Sequence, residues 1–360
     1  MENKLERSVF MFKVGRKMRL FGSFFLSIIL LWALLAFSPK PQNIGENPFI
    51  VGQGNPPVII AHGGGNQEFP DNTLEAYYNA YSIDPNVMME TDVSLTKDGV
   101  IILTHDTTLD RRTNLQFAPV IEINYSDLIE QQVNFGYYNP VEPRSNGFNV
   151  TGELIEYTNY RGETVTPLDV QYPEGVEPRH ETLFLATTLE ELIKAFPNNK
   201  MNVEIKQSGE IGALALEKVI ELLDALDEDY NTYSRIVLAT FHEEIYEAFV
   251  TLRNTTHPQL LFSPQNRVVQ KYYILQRARL SVFFRDEIAV LQVPLTHSGF
   301  DLSTRSFIRT AQRHHIAVHY WTINDEAEMR RLIELGVDGI MTDRVQLLKN
   351  IIDEYYPNHP

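Results

Sequence analysis

VIIAHGGGNQEFPDNTLEAYYNAYSIDPNVMMETDVSLTKDGVIILTHD, residues 58–106, is the stretch on which the reading of the fold turns. Three short runs rich in Val, Ile, Leu and Met (58–61, 87–93 and 100–104) read as buried strands. Between the first two, 73–81 reads as a helix, with Asn72 and Glu75 forming a start that resembles a capping box. Four polar residues sit in or directly after the apolar runs: His62, Glu90, Asp92 and His105. Apolar strands have no packing reason to carry them. Lys97-Asp98-Gly99 is a hairpin signal between the second and third runs. Across a two-residue loop, positions whose numbers sum to about 195–197 face each other, which sets Glu90 or Asp92 opposite His105. Strand side chains alternate, so Glu90 and Asp92 also share a face.

The same rhythm continues outward. Further strand candidates lie at 201–205, 236–240, 259–262, 289–294, 316–321 and 339–342, and helix candidates at 189–196, 211–226, 243–252, 303–314 and 326–335. Alternation at this frequency is the pattern of a parallel α/β fold. About eight strands in some 300 residues suit a (β/α)8 barrel of the TIM type better than an open sheet. One segment interrupts it. Residues 114–181 are rich in Tyr, Asn, Pro and Gly and have little helical periodicity. An insertion of that length, leaving the chain just after the second histidine strand, reads as a cap over the site, with a plain surface excursion as the alternative.

The first forty residues carry seven basic against two acidic residues, which leaves −21 for the rest of a chain whose net charge is −16. An acidic body lacks the basic footprint that nucleic acid requires; it suits a cationic ligand such as a divalent metal. With no Cys in the chain, disulfides, thiolate metal sites and cysteine nucleophiles are excluded. FGSFFLSIILLWALLAF, residues 21–37, has no charge over seventeen residues and follows six basic ones. It reads as a transmembrane signal anchor over 21–38, behind a cytoplasmic basic segment at 1–20. The rest would then lie on the extracytoplasmic side, or be secreted if Ala36-Phe37-Ser38 marks a cleavage site. Residues 39–57 read as a linker, 58–348 as the barrel and 349–360 as a C-terminal tail. No protein partner is implied.

Taken as chemistry, Glu90, Asp92 and Glu204 are carboxylates inside apolar runs, where a lone charge is costly unless paired or bound to a metal. Oxygen donors favour Ca²⁺ or Mg²⁺ over zinc. Lys206, two residues past Glu204, shares its strand face and meets either a phosphate or Glu204 itself. His62 and His105 are natural acid–base partners near neutral pH.

These motifs resemble the glycerophosphodiester phosphodiesterase family. The family's opening His-Arg-Gly and Pro-Glu-Asn-Thr are similar to AHGGG at Ala61–Gly65 and PDNT at Pro70–Thr73. Its Glu-x-Asp, Lys-Asp-Gly turn and His-Asp match Glu90, Asp92, Lys97–Gly99 and His105-Asp106, with LDRRT behind. Its Glu-Ile-Lys matches Glu204-Ile205-Lys206, and its last signatures match WTIN at Trp321–Asn324 and GVDGIMTD at Gly336–Asp343. The resemblance implies a (β/α)8 barrel that hydrolyses glycerophosphodiesters to an alcohol and glycerol 3-phosphate. It implies His62 and His105 as general acid and base, and Glu90, Asp92 and Glu204 as ligands of one divalent metal. Lys206 would face the phosphate, and Trp321 would wall the substrate pocket or fill the core. A related lipid phosphodiesterase acting on lysophospholipids or polyglycerolphosphate polymers is the neighbouring alternative, suited to the anchor. A noncatalytic barrel that binds without turnover is supported only by Gly63, which stands where the family has a phosphate-binding Arg. Other histidines, among them His242 and His297, are expected to be surface or structural.

Overall fold

Apolar tetrads such as Val58–Ala61 and Ile236–Ala239 have no polar face, so their strands need cover on both sides. The computed structural model, which describes residues 16–41, 44–52, 54–138 and 155–357, supplies it with a ring of helices. In chain order the strands are β1 (Val58–Ala61), β2 (Met88–Leu95), β3 (Ile101–Leu103), β4 (Met201–Ile205), β5 (Ile236–Ala239), β6 (Leu261–Phe262), β7 (Val290–Val293), β8 (Thr296–His297), β9 (Phe300–Asp301), β10 (Ala317–Tyr320) and β11 (Gly339–Thr342). The helices are α1 (Arg16–Phe37), α2 (Leu74–Ile83), α3 (Tyr125–Glu130), α4 (Leu189–Ala195), α5 (Gly209–Tyr230), α6 (Thr232–Arg235), α7 (Glu243–Thr255), α8 (Asn266–Arg277), α9 (Arg305–Arg313), α10 (Glu326–Leu335) and α11 (Val345–Tyr355).

Eight strands run parallel in the order β6-β5-β4-β2-β1-β11-β10-β7. The ends of this sheet approach each other where Ala289 N–H donates to Phe262 O at 3.1 Å. The expected (β/α)8 barrel is present. Alternation sorts its side chains: Ile59 and Ala61 point out against the helices, while Ile60, Met88, Val237, Val290 and Met341 fill the lumen. The inward parity continues upward from Ile60 to His62, from Met88 to Glu90 and Asp92, and from Asn202 to Glu204 and Lys206. Gly339 is required by the same lumen. A Cβ there would lie 2.7 Å from both His319 and Ile60.

The helices close the outer layer by ordinary amphipathic packing. In α5, Ala215, Leu216, Val219, Ile220, Leu223 and Leu226 form one buried stripe at helical spacing. Asn231 ends it in the left-handed region at φ 49°, its N–H returning to Asp227 O. Truncating a fully buried member of the stripe, such as Leu223, costs about 2–5 kcal/mol.

Several boundaries differ from the expectation. The 100–104 run is not a barrel stave: β3 returns antiparallel along β2, with Val93 opposite Leu103 and Leu95 opposite Ile101. The hairpin rises above the mouth, since β2 outlasts its pairing with β4 at Val93–Ile205. Its return arm brings Thr104, whose N–H donates to Asp92 O at 2.9 Å, rather than His105, to the level of Asp92. The linker stretch is a plug. Ile44 and Phe49 are buried with the lumen residues, and Asn47 Nδ2 donates to Ala289 O and His315 O, both at 2.7 Å. Phe49 meets His319 edge-on, and burial carries that histidine down to about 3, so it stays neutral. The stretch set apart as a tail continues α11, burying Ile351 and Ile352. Helix α2 is capped by Thr73, whose Oγ1 accepts from Ala76 N, and not by Asn72. Neither α8 nor the β8–β9 hairpin was anticipated.

Residues 114–138 and 155–181 of the insertion lie against the side of the barrel. Tyr157 Oη donates to Asn66 O at 2.7 Å, Tyr160 N to Gln67 O at 2.8 Å, and Arg179 pairs with Glu75 at 3.3 Å. Among the described residues, none from the insertion lines the cavity at the barrel mouth, so the cap expectation is not met by them. They buttress the β1–α2 turn instead. Residues 139–154 lie outside the described part.

Candidate active site

Parallel pairing brings sequence-distant carboxylates together. Asp92 on β2 lies in register with Glu204 on β4, and Glu90 with Asn202 one pleat below. Carboxylate oxygens of Glu90, Asp92 and Glu204 all lie within 4.8 Å of one another. At that separation, with an effective dielectric near 20, each pair repels by roughly 3–4 kcal/mol. Lys206 Nζ sits 3.0 Å from Asp92 and 2.8 Å from Glu204, which compensates one charge of three. The remainder shows in the titration. Glu90 is pushed up to about 8, first by burial and then by the charge of Asp92. Glu204 is raised for the same two reasons. Burial acts upward on Asp92 too, but Lys206, His105 and His62 hold it below the usual carboxylate range. An all-oxygen cluster with two uncompensated charges matches one hard divalent cation.

Each histidine is backed by its own carboxylate. His62, at the end of β1, places Nδ1 2.6 Å from Asp343 Oδ1. Asp343 in turn accepts from Asn324 Nδ2 at 2.6 Å, while Asp343 N–H donates to Asn324 Oδ1 at 2.9 Å. The two C-terminal motifs thus converge on His62. Burial alone would lower His62, yet its hydrogen bond to Asp343 and the charges of Glu90 and Asp92 carry it up to about 10. His105 Nδ1 lies 2.8 Å from Asp106, the main cause of its own upward shift, and Asp106 is gripped by Arg111. Fixing Nδ1 in this way leaves Nε2 of both rings for the cavity they line.

Gly63 has a definite role. It stands at φ +55° and donates its N–H to Glu90 Oε2 at 2.8 Å. A Cβ there would meet Asp71 Cβ at 2.8 Å, so no side chain fits. Asp71 belongs to a different pairing, with the buried Arg112 at 3.0 Å and Arg111 at 3.5 Å. Those guanidiniums overcome the burial that would raise it and hold it low. Asn72, left-handed at φ 58°, donates from Nδ2 to Asp92 at 3.2 Å and accepts from Asp92 N–H and Thr91 Oγ1. It positions Asp92.

All seven residues singled out in the sequence (His62, Glu90, Asp92, His105, Glu204, Lys206 and Trp321) line one cavity of about 490 Å³ at the barrel mouth. Asp343, Asn324, Asn72, Asp106 and Arg111 were missed as supporting groups. Their only sequence signal was membership of the quoted motifs. The opposite wall is apolar: Phe241, Tyr273, Ile274, Phe300, Leu302 and Trp321. Trp321 meets Phe241 edge-on at 6.0 Å. Two histidines expected to be surface or structural lie close by. His297 lines the same wall, and His242 Nε2 lies 2.9 Å from Lys206 O.

Residues 62–347 match the glycerophosphoryl diester phosphodiesterase family. A glycerophosphodiester phosphodiesterase of Bacillus subtilis is 23% identical over 343 residues, covering 94% of this chain and 100% of its own length. A human lysophospholipase D is 25% identical over 315 residues, 82% of this chain and 86% of the human protein. Among solved structures, an Oleispira antarctica phosphodiesterase in complex with the product sn-glycerol-3-phosphate shares the fold. Its TM-score is 0.56 at 20% identity, over 83% of this chain and 97% of that one.

Proposed function

The chain belongs to the glycerophosphoryl diester phosphodiesterase family, and we propose that it hydrolyses glycerophosphodiesters to an alcohol and glycerol 3-phosphate at the mouth of its barrel. The observation that carries this reading is the conjunction of three carboxylates within 4.8 Å of one another with two carboxylate-backed histidines on the same cavity. The names of the relatives and the product held by the Oleispira enzyme support it.

In this reading Glu90, Asp92 and Glu204 hold one divalent cation, Ca²⁺ or Mg²⁺, which when bound supplies positive charge to the phosphoryl oxygens. Lys206 adds a second positive group on the same face and neutralises charge on the equatorial oxygens as the P–O bond to the leaving alcohol breaks. One histidine takes through Nε2 the proton of the glycerol hydroxyl that attacks phosphorus while the other protonates the departing alkoxide; with the two roles exchanged, a water then opens the cyclic phosphate so formed, leaving glycerol 3-phosphate. Asp343 and Asp106 hold each ring in the tautomer that presents Nε2 and stabilise it when charged. Trp321 bounds the space taken by the organic part of the substrate. The test is release of glycerol 3-phosphate from glycerophosphocholine by the purified chain, with EDTA and after addition of Ca²⁺ or Mg²⁺. Expected is release that EDTA abolishes and one of the two ions restores; no release from glycerophosphocholine or other glycerophosphodiesters overturns the reading.

The membrane is the second partner in this proposal. Leu20–Phe37 has a mean hydropathy of 2.4 and none of it is buried in the protein, which suits a single-pass anchor. The preceding basic residues put the barrel on the extracytoplasmic side. Protease added to intact cells should then digest the barrel; full protection would place it inside. A lipid-tailed substrate of the lysophospholipid kind is a second reading, favoured by the apolar wall opposite the carboxylates.

A further inference from the structure

The apolar wall continues out of the cavity to the anchor helix. Trp32 Nε1 on α1 donates to Ala278 O, just past α8, at 3.0 Å, and α1 also packs beside the turn Ser281–Phe283. The apolar span of eighteen residues is about 27 Å long, close to the thickness of a bilayer's hydrocarbon core. Trp32 lies five residues before its end, about 7–8 Å along the axis, so its contact with Ala278 holds the C-terminal end of α8 against the last turns of the span, on the side where the barrel lies. One helical turn earlier on α8, Ile274 is 65% exposed and lines the cavity mouth. Phe300 is 52% exposed and packs on Tyr273 at 5.1 Å, and Phe283 beside α1 is 52% exposed. Large apolar side chains left this open mark a contact surface.

Charge points the same way. From Asn266 to Arg285 there are five basic residues and no acidic one; Lys271 pairs with Asp286 at 2.6 Å and Arg267 with Glu243 at 3.1 Å, which leaves Arg277, Arg279 and Arg285 to face headgroups in a body that otherwise carries a large negative excess. A basic segment beside a membrane span is drawn to anionic headgroups.

We propose that the cavity mouth lies against the surface of an anionic bilayer, with Ile274, Phe283 and Phe300 in contact with lipid, so that the barrel takes its glycerophosphodiester from the membrane. This rests on the anchor and on the phosphodiesterase reading above. Because the chain has no Cys, single cysteines can report it directly. Full-length Ile274→Cys, Phe283→Cys, Phe300→Cys and, as control, Leu168→Cys would be labelled with a small fluorophore. Leu168 is 60% exposed and sits near α2, on the side of the barrel away from α8. Each would be placed in nanodiscs of phosphatidylcholine doped with phosphatidylglycerol and a nitroxide lipid. Expected is several-fold stronger quenching at the three rim positions than at Leu168→Cys, and a weakened difference without phosphatidylglycerol. Equal quenching at all four, or quenching at Phe283→Cys alone, overturns the proposal. Hydrolysis of glycerophosphocholine by the same samples separates the outcomes: activity without rim quenching sinks only the membrane contact, whereas inactivity with quenching sinks the catalytic reading. As a second measurement, Ile274→Ser/Phe300→Ser should lower turnover of a single-chain glycerophosphocholine held in the nanodisc at least fivefold relative to soluble glycerophosphocholine. An unchanged ratio overturns delivery from the membrane.

Discussion

The two walls of the cavity are built on opposite principles. On the wall made by β1, β2, β4 and β11, every charged group has a named partner: His62 on Asp343, His105 on Asp106, Asp92 on Asn72, Lys206 and its neighbours. The wall made by α8, the β8–β9 hairpin, Phe241 and Trp321 turns no acidic or basic pair into the cavity among the described residues; apolar side chains, several of them half exposed, alternate there with neutral polar ones such as Asn266 and Gln270, beside His297. The first arrangement fixes atoms to a fraction of an ångström, as bond-breaking requires. The second tolerates shape changes, as recognition of varied head groups requires. In the proposed function, reaction and selectivity would fall to different halves of one barrel mouth.

The sharpest way to break that division is on the ionic wall. Glu204→Ala and Asp92→Ala each remove a cluster ligand, and glycerol 3-phosphate release should fall by about 10³-fold or more, with calorimetry showing lost Ca²⁺ or Mg²⁺ binding. His62→Ala and His105→Ala should each lower kcat by about 10²–10⁴-fold with little change in KM; two fully active variants would remove the acid–base assignment. Asp343→Asn keeps the shape but drops the charge behind His62, and should cost about 10–100-fold. In the metal-free chain its histidine signal should titrate well below 10, since Asp343 is one of the groups raising it. Replacing Gly63 by the Arg of the family pattern should not restore anything here. Its left-handed backbone and the contact with Asp71 predict a loss of about 1–3 kcal/mol, read as a lower Tm. The smallest effect belongs to the apolar wall: Trp321→Ala should raise KM by roughly tenfold and leave kcat nearly intact. A larger fall in kcat than in 1/KM would show that the two walls are not separate.

How much of this was legible beforehand follows from the range of each interaction. Strand parity is local, so Glu90 with Asp92 and Glu204 with Lys206 could be assigned shared faces from spacing alone. The hairpin register was also local, and the β2–β3 pairing falls within the expected sum, although it sets Thr104 rather than His105 beside Asp92. α8 escaped notice because its buried side is narrow, with Val268, Val269, Tyr272 and Gln276 among polar residues. The plug at residues 44–52 escaped because Pro, Gly and Asn mark irregular backbone without saying whether it is buried. The insertion was expected over the mouth on length and composition, and neither of those has a direction in space.

By itself the sequence determined the alternation of strands and helices, the shared strand faces of Glu90 with Asp92 and of Glu204 with Lys206, the absence of thiol chemistry and the apolar N-terminal span. These rest on periodicity and composition, which act over a few residues. Only the tertiary structure decided that Asp343, 281 positions from His62 and itself held by Asn324, fixes that ring. It also decided that position 63 has no room for a side chain, and that the apolar wall runs on to meet α1. Those facts depend on closure of a barrel, which brings the first strand against the last and cannot be read from any stretch of chain short enough to carry a pattern.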